Sequence, residues 1–346
     1  MQFHQVNGHW VVTTRSAAIL LPDRFCRWIS GLVVPERLPE LGMGLLILLV
    51  WLFGCLWMAQ GVPATGHAAR LATAEFEPLQ LNRFEMVGEA VTLPGITDNA
   101  SGLAINAETN NLLVVNNNPT QILEYSPAGE LVRTISLDGF HDTEALVHLY
   151  GDQYAVAEER RGNIMQITLN DGTRQIDHEQ SRLLAMVDTV GTNHGLEGLA
   201  YCHQSKRLFM VIEDQPARLV EVPLGDDLQG PATIISNRFV NHPPRPPGNL
   251  DDLSGLHFAG THGNLLVLSD ESKALIELNG EGEIVSRLSL GWRQLGWGNA
   301  VPQAEGVTLG ADGTLYISSE PNLLYRFRNP SYGPAAQPSL LVLAAR

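Results

Sequence analysis

LEGLAYC, at Leu196–Cys202, has four counterparts elsewhere in the chain: NASGLAI (Asn99–Ile105), DTEALVH (Asp142–His148), DLSGLHF (Asp252–Phe258) and AEGVTLG (Ala304–Gly310). Each places a Ser or Glu ahead of an apolar, strand-like stretch. The lead residues are Ser101, Glu144, Glu197, Ser254 and Glu305, separated by 43, 53, 57 and 51 residues. A second strand follows each: LLVVNNN (Leu112–Asn118), YAVAEER (Tyr154–Arg160), LFMVIED (Leu208–Asp214), LLVLSDE (Leu265–Glu271) and LYISSEP (Leu315–Pro321). Third strands come next, such as QILEYS (Gln121–Ser126) and ALIELNG (Ala274–Gly280), and fourth strands are visible in ELVRTISL (Glu130–Leu137) and EIVSRLSL (Glu283–Leu290). Alternating apolar and polar residues dominate, with no useful 3.6-residue period after residue 80.

Four short strands recurring at this interval mark the blades of an all-β β-propeller. The motif count gives five four-stranded blades, or six should a degenerate blade occupy a long interval. The last motif runs out early, and RFEMVGEAVTLPG (Arg83–Gly95) is placed to supply its outer strand, which closes the ring and removes a free edge. A β-sandwich, the other all-β fold considered, leaves the fivefold repeat without a cause.

The composition agrees. Gly (33) and Pro (20) are plentiful, as many turns require, and a 44% hydrophobic fraction is ample for a core. Net charge is −15, unevenly spread: residues 1–70 carry five basic and three acidic residues, leaving the remainder at −17. Such a body repels phosphate backbones, which excludes nucleic acid as a partner, and attracts cations. Of Cys26, Cys55 and Cys202 only the last lies in that body, so it has no internal disulfide. No Cys/His cluster has zinc-ligand spacing.

From Leu41 to Ala69 there is no Asp, Glu, Lys or Arg, and Leu41–Ala59 is a 19-residue apolar run. That is close to the ~20 residues a membrane-crossing helix needs. Arg24, Arg27 and Arg37 precede it and no basic residue follows until Arg70, so the positive-inside rule exports everything downstream. A cleaved signal peptide is the competing reading, since small residues follow at Ala64, Gly66, Ala68 and Ala69. The expected organisation is a cytoplasmic segment at 1–40, a transmembrane helix or signal at 41–60, a linker at 61–81, the propeller at 82–330 and a tail at 331–346. The propeller would then stand on the periplasmic side of the inner membrane, held by a single pass.

In a blade the start of strand one and the end of strand two share a face. Glu144, Glu197 and Glu305 therefore meet near the axis, with Asn99, Asp142 and Asp252 two residues ahead of their lead residues. Glu158, Glu213, Asp270 and Glu320 stand further out. Converging carboxylates repel unless some are protonated or a cation sits among them. Glu, Asp and Asn oxygens suit a hard ion, Ca²⁺ first, with Mg²⁺ or Mn²⁺ as alternatives. Each Glu could equally serve only to cap its strand. Long loops on this face carry Trp292, Arg293 and Trp297, and a shorter one carries His194, enough to wall a ligand pocket.

GLEGLAY (195–201), LLVLSDESKALIEL (265–278) and AEGV with LYISSEPNLLYRF (304–327) resemble the SdiA-regulated family of bacterial envelope proteins. The resemblance spans roughly residues 82–330. It implies a short N-terminal membrane segment and a propeller of the NHL-like or calcium-dependent lactonase/phosphotriesterase type. In those hydrolases a metal-binding Glu precedes Gly, as at Glu197-Gly198 and Glu305-Gly306. Here two lead positions are serine, and Ala145 stands where Gly would follow Glu144. Two functions follow: a cation-binding module for a small molecule or an envelope protein, or a metal-dependent hydrolase of a lactone or phosphoester, with His194 or a carboxylate as base.

Overall fold

The structure is a computed structural model and describes residues 2–6, 9–13, 18–20, 77–187, 195–212, 217–224, 233–235, 250–260, 263–295 and 300–331. The chain divides into two units, Met1–Thr65 and Gly66–Arg346. In the first, β1 (Gln2–Val6), β2 (His9–Thr13) and β3 (Ala18–Leu20) form an antiparallel meander, which the sequence reading did not anticipate. The expected span at 41–59 lies outside the described residues. No described helix is long and apolar enough to cross a membrane.

The second unit opens with a short turn of 3₁₀-helix at Leu81–Arg83, then β4 (Glu85–Met86) and β5 (Val91–Thr92). Blade one follows as β6 (Ala100–Ile105), β7 (Leu112–Asn117), β8 (Thr120–Tyr125) and β9 (Leu131–Asp138). Blade two has β10 (Thr143–Tyr150), β11 (Gln153–Glu158), β12 (Asn163–Thr168) and, after the detour β13 (Gln175–Asp177), β14 (Arg182–Val187). Blade three shows β15 (Leu196–Cys202), β16 (Arg207–Ile212) and β17 (Arg218–Pro223), with β18 (Thr233–Ile235) further along the chain. Blade four is β19 (Gly255–Ala259), β20 (Asn264–Ser269), β21 (Ala274–Leu278) and β22 (Ile284–Ser289). After the four-residue α1 (Trp292–Leu295) comes blade five, with β23 (Ala304–Leu309), β24 (Leu315–Ser319) and β25 (Leu323–Arg328).

The innermost strands β6, β10, β15, β19 and β23 pack side by side in that order, and β23 returns to β6. The described residues thus form a closed five-bladed propeller. Its seam is as expected: β4 and β5 pair antiparallel with β25, so the segment ahead of blade one supplies the outer edge of blade five. Two outer edges are covered in a way the repeat did not announce. β13 crosses back to lie parallel to β9, and β18 lies parallel to β14, so the next blade along the chain hides an edge of the one before.

Both faces of every blade are buried, which is why second strands read as nearly unbroken apolar runs. The core is accordingly five separate layers, one between each pair of neighbouring blades. Each fully buried Leu, Ile or Val in them contributes about 1.5–3 kcal/mol. The third strands interrupt this with one polar residue in matching register: Glu124, Gln166, Glu221, Glu277 and Arg326. Glu124 accepts from Asn106, Thr109, Asn111 and Arg133. Glu277 accepts from Asn264 at 2.7 Å, from Ser286, and from the Leu79 backbone N–H at 2.7 Å. The Leu81 N–H donates to Ser286 Oγ at 2.9 Å, and Asn329 Nδ2 donates to the Leu79 carbonyl. Leu79 and Leu81 are themselves buried in the layer between blades four and five.

Candidate functional site

Strand one of blades one, two, three and five begins on an irregularity. Thr143 pairs with Glu158 and Ala145 with Ala157, so Glu144 is the extra residue of a β-bulge. Glu197 and Glu305 stand on equivalent bulges of blades three and five. A bulge turns its extra residue away from the regular pleat. This local device sets the three glutamates apart from the apolar residues around them.

The residue after the lead position answers a steric need. A methyl group added to Gly102 would lie 2.6 Å from the Glu144 carbonyl oxygen, and one on Gly255 would lie 2.8 Å from that of Glu305. Axial strands of neighbouring blades approach too closely there for a side chain. Glycine after the lead residue is therefore a packing requirement in blades one, three, four and five, whether the lead is Ser or Glu, while blade two accommodates Ala145.

Asp142, Glu144 and Glu159 bring one carboxylate oxygen each within 4.8 Å of one another, the only such group of three among the described residues. Asp142 reaches it from a left-handed backbone conformation (φ 53°), and Asn99 holds the same conformation (φ 61°) at the matching place in blade one. Asn99 Nδ2 donates to Asn117 Oδ1 at 2.6 Å, and Asn117 Nδ2 donates to Glu144 Oε1 at 2.7 Å. Ser101 also hydrogen-bonds Glu144. The set offers oxygen donors only, charged and neutral, which fits a hard divalent ion. Arg160 stands 2.7 Å from Asp142, but its side chain is 80% exposed and easily displaced.

Burial is the main cause that shifts these carboxyls upward. It pushes Glu144 up, Asp142 and Glu320 push it further, and the bonds from Asn117 and Ser101 oppose them. Glu159 rises to about 7 through burial, a hydrogen bond with Asp142 and the charges of Asp142 and Glu144, against Arg160. Glu305 rises to about 8 through burial and the charges of Glu320, Glu144 and Asp270, against one bond from Gln303. Glu320 is raised by burial, Asp98 and Asp270, and Gln303 opposes this too. Blades two and five thus share one acidic field.

The remaining expected residues are placed as follows. Glu197 lies on its bulge at the matching position, outside the group of three. Asp252 is buried and occupied elsewhere: it accepts from the Ser269 hydroxyl and from the backbone N–H groups of Asp270 and Glu271, both at 3.0 Å, capping that turn. Trp292 is exposed on α1. His194, Trp297 and the side chain of Arg293 lie outside the described residues.

Sequence reading missed Asn117 and Glu159. Pairing the second strands by their strand-one partners puts Asn117, Glu159, Asp270 and Glu320 in one column, and the expected Glu213 lies outside the described residues. Glu158, chosen instead, stands one column earlier and is wholly buried. It accepts from the His141 N–H at 2.9 Å, from Arg161 and from His178.

Among solved structures, the chain is similar to a luciferin-regenerating enzyme (15% identity, TM-score 0.46, 70% of this chain and 95% of that one). It is similar to a glucose dehydrogenase at 14% identity and TM-score 0.45, over 70% and 99% of the two chains. A virginiamycin B lyase from Staphylococcus aureus is similar at 11% identity and TM-score 0.35, over 68% of each chain. The SdiA-regulated family pattern matches residues 77–328, the whole of the ring just described. The chain therefore belongs to the SdiA-regulated family.

Proposed function

We propose that this propeller is a divalent-cation-binding module of the cell envelope whose acidic face receives a small molecule or a protein partner. The observation that carries this reading is the convergence of Asp142, Glu144 and Glu159 within 4.8 Å. Calcium suits the donor set best, with magnesium or manganese as alternatives. Export and attachment by the apolar run Leu41–Ala59 are part of the same proposal, supported by the arginines ahead of it. The test is thermal melting of the full-length chain with Ca²⁺ and with chelator, alongside elemental analysis. A higher melting temperature with Ca²⁺, lost in Glu144→Gln, is expected; identical curves and no bound metal would dispose of the ion.

A second reading, a metal-dependent hydrolase of a lactone or phosphoester, draws on Glu305. A carboxyl held near 8 outside the group of three is suited to moving protons near neutral pH. Calcium-dependent turnover of a lactone or phosphodiester, abolished in Glu305→Gln while the Ca²⁺-dependent melting shift persists, would move the assignment to this reading.

A further inference from the structure

Glu144 and Glu197 stand at the starts of β10 and β15, and at the far ends of the same two strands a pair of histidines comes together. His148 lies near the end of β10, and His203 directly follows β15. Their rings are 5.5 Å apart, centre to centre, and tilted by 41°. Each ring meets a tyrosine edge: Tyr154 lies 5.0 Å from His148 at 63°, and Tyr201 lies 5.1 Å from His203 at 74°. The histidines are far apart in sequence and meet only because β10 and β15 are neighbours around the axis.

The hydrogen bonds of the pair leave each ring one lone pair. His148 Nε2 lies 2.9 Å from the Gly151 carbonyl, which can only accept, so Nε2 carries the proton and Nδ1 does not. His203 is held on the Leu149 backbone, by a bond that favours the protonated ring and so ends on the carbonyl. A ring that donates one N–H to a backbone carbonyl and keeps the other nitrogen bare is the usual state of a metal-ligating histidine. Desolvation lowers the pKa of both rings; His148 and Lys206 lower His203 further, while the Gly151 and Leu149 bonds and the charge of Glu108 oppose it. Both imidazoles are therefore neutral at pH 7, the form that binds metal.

The spacing suits a shared ion. A metal–nitrogen bond of about 2.0–2.1 Å puts a ring centre about 3.2 Å from the ion, so two rings at a tetrahedral angle have centres roughly 5.2 Å apart. We propose that His148 and His203 bind a borderline divalent ion, copper(II) or zinc(II), at a second metal site separate from the acidic face. Imidazole nitrogen selects such ions over calcium, whereas the all-oxygen carboxylate group does the reverse. No third His, Cys, Asp or Glu joins the pair among the described residues. Two of four tetrahedral positions thus stay open to water or an incoming ligand.

The test uses the full-length chain in detergent, with excess Ca²⁺ to occupy the acidic face. Zn²⁺ binding is followed by calorimetry, and Cu²⁺ binding by pulsed electron paramagnetic resonance, which counts coordinated imidazoles. A saturable site with two imidazoles on one copper is expected. His148→Gln and His203→Gln should each lower the affinity by at least about tenfold and leave one imidazole on the metal. His203 is exposed, so its variant keeps the test valid should His148→Gln fail to fold. Glu144→Gln should leave this site unchanged. The proposal is overturned if neither metal saturates, if copper shows fewer than two imidazoles, or if His203→Gln binds as the wild type does. Loss of the site in Glu144→Gln would overturn it too, by placing the ion on the acidic face.

Discussion

Glu305→Gln should remove a pH dependence of stability that the acidic face imposes on the cation-free protein. An unperturbed glutamate titrates at 4.5, and Glu305 is held at about 8 by burial and by Glu320, Glu144 and Asp270. The folded state therefore binds more protons than the unfolded chain between these values. The stabilising contribution is complete below pH 4.5 and is lost as pH rises through about 8. At about 1.4 kcal/mol per pH unit, the interval sets a ceiling of roughly 5 kcal/mol. Water reaches part of this side chain, which lowers the effect to a few kcal/mol. For a domain of this size that is a melting shift on the order of 10 °C. The assay is circular-dichroism melting in chelator from pH 4.5 to 8.5, comparing wild type with Glu305→Gln so that other carboxylates cancel. The wild type should lose stability towards pH 8.5 relative to the variant, and Ca²⁺ should restore it. Parallel curves across the range would refute the placement of Glu305 in a shared acidic field.

Three other outcomes are expected. Gly102→Ala would drive a methyl group against the backbone of Glu144 and Ala145, and should cost about 1–3 kcal/mol, read as a melting drop of several degrees. An unchanged melt would mean that the axial strands separate freely. Glu277→Ala leaves the Leu79 N–H and the Asn264 amide without their acceptor in a buried place, and should cost about 2–4 kcal/mol by denaturant titration. A phosphatase reporter that works only outside the cytoplasm, joined after residue 76, should be active; an inactive but intact fusion would reverse the proposed topology.

The ring was legible because the pattern that makes a blade is short-range. Each lead residue, the Gly or Ala after it and the apolar run behind it repeat whether or not the blades are assembled, and the seam followed from counting strands at Arg83–Gly95. What could not be read were features decided by neighbouring blades. β13 and β18 are three-residue strands with no pattern of their own, and they exist because another blade presents an edge. The candidate site divides the same way. Glu144 was visible as a lead residue, whereas the choice of Glu159 over Glu158 depends on a one-residue register that reverses the face of a strand. Asp252 matched the spacing of Asp142, but nothing local says that Ser269 and two backbone N–H groups occupy it.

The pinning of Leu79 and Leu81 to blade four has a mechanical consequence. The seam itself is slight, since β4 and β5 each hold blade five through two residue pairs. A pull arriving along the chain from its N-terminal side would peel those pairs if they were the first point of attachment. They are not: tension meets Glu277, Ser286 and Asn329 first, together with two leucines buried between blades. The arrangement works as a cable clamp, passing load into an intact four-stranded blade while the joint that closes the ring stays slack.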